Sequence, residues 1–183
     1  MALNADLQER FDGRLIVGTG WFETYYPGQR VALLATGAEA AAILPEVLHT
    51  AESVTFFPEG TVWVTPIDVP GRTLRRLVAR SHLRCGVRDR WQRRQLTPHR
   101  FDVAPTVVSP NYFAALRDPR TRVVHWPAYA IVRDGIRSAD GVEYRVDTII
   151  VGDSSQFADL TTPDPTTAAD STSPARRPKK QSR

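Results

Sequence analysis

Val31-Ala-Leu-Leu-Ala-Thr-Gly-Ala-Glu-Ala-Ala-Ala-Ile-Leu-Pro-Glu46 is the stretch on which the reading of this chain turns. Val31 to Leu34 are consecutive apolar residues, the pattern of a buried strand. Ala35-Thr36-Gly37 predicts a tight turn, and Ala38 to Leu48 predicts a helix packed on that strand. Strand, small-residue turn and helix in this order open a dinucleotide-binding unit, where a pyrophosphate rests on backbone N–H groups at the helix N-terminus. No side chain may intervene, which is why the fingerprint is G-x-G-x-x-G/A. Ala35, Gly37 and Ala40 stand at its three places. The second glycine is kept and the third place accepts alanine, but Ala35 replaces the first, where a turn of unusual φ would suit glycine. An ordinary buried strand and helix accounts for the same letters equally well.

Ser53-Val-Thr-Phe-Phe57 predicts a second strand, stopped by Pro58-Glu-Gly60. Strand, helix and strand within about 30 residues make one crossover, so the two strands should be parallel. Pro45 should bend the helix or mark its last part, because it removes a backbone donor. Upstream, Leu3 to Phe11 suggests a short helix or arm, and the glycines between Phe11 and Trp21 suggest a shaped loop. Downstream, Thr73 to Leu96 spaces Leu74, Leu77 and Val78 helically among arginines, predicting one or two amphipathic helices. An irregular loop between Pro98 and Pro105, a short helix at Asn111–Leu116 and a strand at Arg122–Trp126 follow. Tyr129–Arg133, a turn at Asp134-Gly135 and Val142–Val146 predict a small antiparallel excursion, and Asp147–Val151 predicts a closing core strand. After Leu160 no large apolar residue remains, so that tail is expected to be disordered.

The single cysteine, Cys85, excludes an internal disulfide and suits a reducing compartment. No apolar run approaches the roughly 20 residues that span a bilayer, and the first ten residues lack a signal peptide's apolar core. A cytoplasmic protein without a membrane partner is the expectation. Ten arginines from Arg72 to Arg100 are opposed in sequence only by Asp89, and a second basic cluster runs from Arg176 to Arg183. Such segments can hold a polyanion, although an arginine-rich helix is more commonly a solvated face, and composition alone does not argue for nucleic acid. His49, His82, His99 and His125 show no metal-ligand spacing, and no G-x-S-x-G nucleophile elbow occurs. Neither a catalytic residue nor a metal site is assigned.

Several stretches taken together resemble flavin-containing monooxygenases of the Baeyer–Villiger type, and mainly the NADPH-binding domain within them. Phe11, Gly13 and Trp21 fit a linker pattern F-x-G-x-x-x-H-x-x-x-W-P. Thr36-Gly37-Ala38, Pro45-Glu46, Val54–Phe57 with Trp63 and Pro66, Leu96-Thr-Pro98, Ser109–Phe113 and Asp147–Ile150 follow in the family's order. The resemblance implies an α/β, Rossmann-like dinucleotide-binding domain with a small antiparallel excursion. Its expected divisions are a linker-like segment 1–29, the domain 30–157 and a disordered tail 158–183.

The departures bear on function. Val17 stands for the linker histidine and Phe22 for its proline or acid. Glu39 stands where the resemblance implies a small hydroxyl residue near the pyrophosphate, and an anion there should repel phosphate. Glu59 occupies the turn where an arginine would pair with the ribose 2′-phosphate, so the charge is reversed. Ala104 and Pro105 replace the Lys-Arg pair whose arginine would meet flavin and nicotinamide, and Gly152-Asp153-Ser154 replaces Ala-Thr-Gly. Candidate cofactor contacts are therefore Ala35, Thr36, Gly37, Ala38, Glu39, Ala40 and Glu59, with NADP bound weakly or lost. FAD is the family's cofactor but is not expected on this chain, because too few residues flank the matched stretch to form the flavin domain.

The expectation is a truncated, degenerate flavin monooxygenase-like protein without monooxygenase activity by itself. The alternative is a non-catalytic module holding a polyanion or acidic partner through Arg72–Arg100. Trp21, Phe22, Phe101, Val103, Val107 and Val108 would face a flavin domain in the family, so self-association or pairing with a separate flavin-domain chain is also expected.

Overall fold

The computed structural model describes residues 11–98 and 105–157. The arm before Phe11 and the tail after Leu160 lie outside the described residues, as do His99, Phe101, Val103 and Ala104. In chain order the elements are β1 (Arg14–Val17), a 3-10 turn (Gly18–Glu23), β2 (Arg30–Thr36), α1 (Gly37–Leu48), β3 (Ser53–Glu59) and β4 (Trp63–Thr65). They continue as α2 (Arg72–Gly86), α3 (Arg90–Leu96), β5 (Thr106–Val108), α4 (Tyr112–Arg117) and β6 (Thr121–Val123). Strands β7 (Ala128–Val132), β8 (Gly135–Ser138), β9 (Glu143–Arg145) and β10 (Thr148–Val151) close the chain.

The core is a five-stranded parallel sheet in the order β1-β10-β2-β3-β6. Alternation along β2 explains its two coverings, since successive side chains point to opposite faces. Val31, Leu33 and Ala35 join the cluster that contains α1, α2 and α4 residues such as Leu44, Leu83 and Phe113. Ala32 and Leu34 join the opposite cluster with Ile131, Ile136 and Val146 of the antiparallel unit β7-β8-β9 and its flank. The predicted excursion is thus a complete covering layer. With helices on one face and the small sheet on the other, the α/β, Rossmann-like expectation holds.

Several local expectations are corrected. Ala35 is not a turn residue: β2 runs through Thr36, Ala35 is fully buried opposite Pro58, and α1 begins at Gly37 with no intervening turn. No described non-glycine residue has positive φ, so no glycine is needed at 35. Pro58 does not stop β3, which continues to Glu59, beyond the end of its pairing with β6 at Val123. Leu15-Ile16-Val17 is not loop but edge strand β1, and Thr106–Val108 pairs with Trp63–Thr65. All are too short for periodicity to reveal.

Pro45 lies inside α1, which runs three residues beyond it. Its ring nitrogen cannot donate to the Ala41 carbonyl. The buried Ser109 hydroxyl donates to that carbonyl instead, at 2.6 Å. Trp21 is buried rather than presented to a partner, stacked at 3.7 Å on Phe22, which is exposed. Val107 is half-buried and Val108 exposed, so only part of the expected apolar face is open.

Candidate functional site

In an open parallel sheet, ligands bind beyond the carboxyl ends of the strands. At that edge lies an open cleft of about 580 Å³, lined by Thr36, Pro58, Glu59, Gly60, Pro127 and Asp153 to Gln156. Register puts Thr36 opposite Glu59 at the ends of β2 and β3. The segment Gly152–Gln156, following β10, completes the rim, anchored where Gly152 N–H donates to the Leu34 carbonyl at 2.8 Å.

The N-terminus of α1 is closed by its own side chains. Thr36 is the N-cap, and Glu39 sits three residues on, the spacing of a capping box. The Thr36 N–H and hydroxyl donate to Glu39 Oε2 at 3.1 and 2.8 Å, and the Glu39 N–H donates to Thr36 Oγ1 at 3.5 Å. Ser154 N–H donates to Glu39 Oε1 at 2.8 Å. Burial would raise the Glu39 pKa, but the hydrogen bonds from Ser154 and Thr36 outweigh it and hold the carboxyl below its ordinary value. The carboxylate is therefore a fixed charge at the positive end of α1. Glu59 repeats the arrangement: Ser155 Oγ donates to its Oε1 and Gln156 N–H to its Oε2, each at 2.9 Å.

Gly37 is closely packed. A Cβ there would stand 2.8 Å from Val62 Cγ1, so the small residue makes room for the Val62 side chain. Gly152 is similarly committed, since a Cβ on it would stand 2.5 Å from Glu39 Oε2. Of the remaining candidates, Ala40 is buried in the helix–sheet core, Ala38 is half-buried beside it, and Ala35 lies within β2. Thr36, Glu39 and Glu59 are thus brought together, whereas Ala35 and Ala40 serve packing. The contacts of Ser154, Ser155 and Gln156 escape sequence reasoning. The signal that could have found them is their place after the last strand of the sheet, at its ligand-binding edge.

An anion approaching the start of α1 would meet the Glu39 carboxylate, and one at the end of β3 would meet that of Glu59. Among the described residues no group of three or more histidines, cysteines and acids could hold a metal ion. No described helix is long and apolar enough to cross a membrane.

Comparison with known proteins agrees with the resemblance in sequence. No family model matches the chain. A Baeyer–Villiger monooxygenase of Streptomyces coelicolor is 31% identical over 137 residues, covering 67% of this chain. A second, from Pseudomonas aeruginosa, is 24% identical over 186 aligned positions, covering 79% of this chain. The chain is a relative of the Baeyer–Villiger monooxygenases. It spans 26% of the first of these proteins and 35% of the second. In fold, this Baeyer–Villiger relative superposes on an open structure of cyclohexanone monooxygenase with a TM-score of 0.68 at 12% identity, covering 82% of this chain and 45% of that one. A steroid monooxygenase bound to NADP gives 0.66 at 14% identity, over 79% of this chain and 42% of that one.

Proposed function

We propose that this stretch is a dinucleotide-binding-like domain of monooxygenase descent whose phosphate positions are filled by its own carboxylates. It does not hold NADPH and performs no oxygenation by itself. The observation that carries the reading is the Glu39 carboxylate, which takes the N–H of Thr36 and the N–H of Ser154 that an incoming anion would need. A phosphate would have to displace an anion already bonded within the chain and would meet repulsion from Glu59 nearby. The retained role is structural: α1 and the 152–156 segment are locked together, and the domain presents its remaining faces to other molecules. No residue of this stretch is proposed to hold FAD.

Thermal melting with NADPH and NADH tests it. A ligand at about 100 times its Kd would stabilise the fold by roughly 2.7 kcal/mol. The wild-type chain should show no NADPH-specific stabilisation at millimolar nucleotide. The double variant Glu39→Ser with Glu59→Arg frees the helix N-terminus and offers a cation to the 2′-phosphate, so it should gain an NADPH-preferring shift. A saturable, NADPH-preferring shift of the wild-type protein would overturn the reading.

A further inference from the structure

Among the described histidines, His82 alone is not exposed. It precedes the buried Leu83 on α2, and its ring stands 4.8 Å from that of Phe113 on α4. The two helices meet closely here: a Cβ on Gly86, one turn further along α2, would stand 2.6 Å from Phe113 Cβ. His82 Nε2 is sealed from solvent and has no hydrogen-bond partner. A buried polar atom without a partner is uncommon and calls for a reason.

A neutral imidazole tolerates this arrangement, because one of its nitrogens is an acceptor with no proton to place. An imidazolium does not. Both nitrogens are then donors, and the charge calls for water or an acid. β4 and α4 pack against α2. The charged residues of α2 are Arg72, Arg75, Arg76, Arg80 and Arg84, and Cys85 is its other titratable group. α4 brings Tyr112 and Arg117, and β4 and β5 bring no titratable group. No acid lies on any of these elements, so nothing on them compensates a positive ring. Burial holds the imidazole below its ordinary pKa, against the opposing pull of a hydrogen bond to the Ser109 backbone. Ser109 is itself tied to β4 and α1: its N–H donates to the Thr65 carbonyl at 2.9 Å and its hydroxyl to the Ala41 carbonyl at 2.6 Å.

We propose that His82 is a pH-sensitive latch, which lets α2 dock against α4 and Ser109 when neutral and drives the helix off that face when protonated. Acidification then releases α2 while the parallel sheet stays formed. A released His82 titrates near its ordinary value of 6.5 and the docked one lower. Docking is therefore fully favoured above pH 6.5 and weakens as pH falls toward the docked value, by up to about tenfold per pH unit. This window lies above that of Glu39, whose carboxylate titrates below 4.5.

Amide hydrogen exchange on the full chain at about pH 7.5 and about pH 5.5, corrected for the intrinsic pH dependence of exchange, tests this. The amides of α2 should lose protection about threefold or more on acidification, and those of β2 and β3 should lose less. His82→Leu has no proton to take up, so its α2 should be protected equally at the two pH values. Changing His49, His99 and His125 together to Gln should leave the wild-type response intact. NMR titration of the His82 ring in the wild-type chain needs no variant to fold, and should give a pKa below 6.5. The proposal is overturned if α2 protection does not change with pH, if His82 titrates at or above 6.5, or if His82→Leu responds as the wild type does. Loss of the response in the triple Gln variant would overturn it by placing the sensor elsewhere. Equal loss of protection in α2 and the parallel sheet would overturn it too, because acid would then be unfolding the whole domain.

Discussion

At the N-terminus of α1 both oxygens of the Glu39 carboxylate meet donors of the same chain, from Thr36 and Ser154. Along α2, by contrast, the guanidiniums of Arg80 and Arg84 meet no carboxylate among the described residues. Both are charged surfaces of helices packed on the same face of one sheet. The difference shows which charges the fold uses for itself and which it leaves for solvent or a partner. A site can look like a ligand-binding turn in sequence and be internally satisfied. A run of arginines can look like one solvated face and yet differ from residue to residue, with Arg80 and Arg84 of α2 unmet by a carboxylate among the described residues.

Internal satisfaction extends along α1, and its loss should give the largest effect. Ser109→Ala leaves the Ala41 carbonyl without a donor, because Pro45 cannot supply one. Denaturant unfolding should show a loss of about 1–3 kcal/mol. Pro45→Ala in the same chain restores a backbone N–H and should recover most of it. Equal losses for the single and double variants would show that the hydroxyl does not replace the proline's missing bond.

Glu39→Ala comes next. It removes the capping box and the tie to Ser154, and should cost about 1–2 kcal/mol. The folded-state pKa of Glu39 lies below its ordinary value of 4.5. The stability from this carboxylate is therefore fully present above pH 4.5 and is lost as pH falls through the lowered value. Asp118 and Asp147, held down by hydrogen bonds from Arg120 and Arg30, act in the same direction. The variant's acid unfolding curve should thus be shallower than the wild type's but not flat. Parallel curves would mean that Glu39 is not the charge closing α1.

The smallest effect belongs to the open surface. Arg84→Glu replaces one of two like charges a helical turn apart with an opposite charge facing Arg80. It should stabilise the fold by about 0.2–0.5 kcal/mol at low salt, and less at high salt. A clear destabilisation would show that Arg84 already has a structural partner and that the contrast between the helices is false.

The parallel unit was legible because its signals are local. Val31–Leu34 and Val54–Phe57 are apolar runs of strand length, and the residues between them suit a helix. The family resemblance, and the misplaced acids Glu39 and Glu59, were likewise visible in order and spacing. The strand β1 and the β4–β5 pair were not, because three or four residues carry no measurable period and their pairing partners are remote.

Sequence alone thus determined the α/β class, the central crossover and the presence of two carboxylates beside the turns that follow the two crossover strands. Only the tertiary structure decided what those carboxylates do. Ser154 lies 115 residues from Glu39, and it reaches the start of α1 because β10 pairs beside β2 in the sheet. Apolar periodicity reports which face of a segment is buried. Which donor meets which acceptor across the sheet depends on strand order and register, and these are fixed by packing over the whole chain.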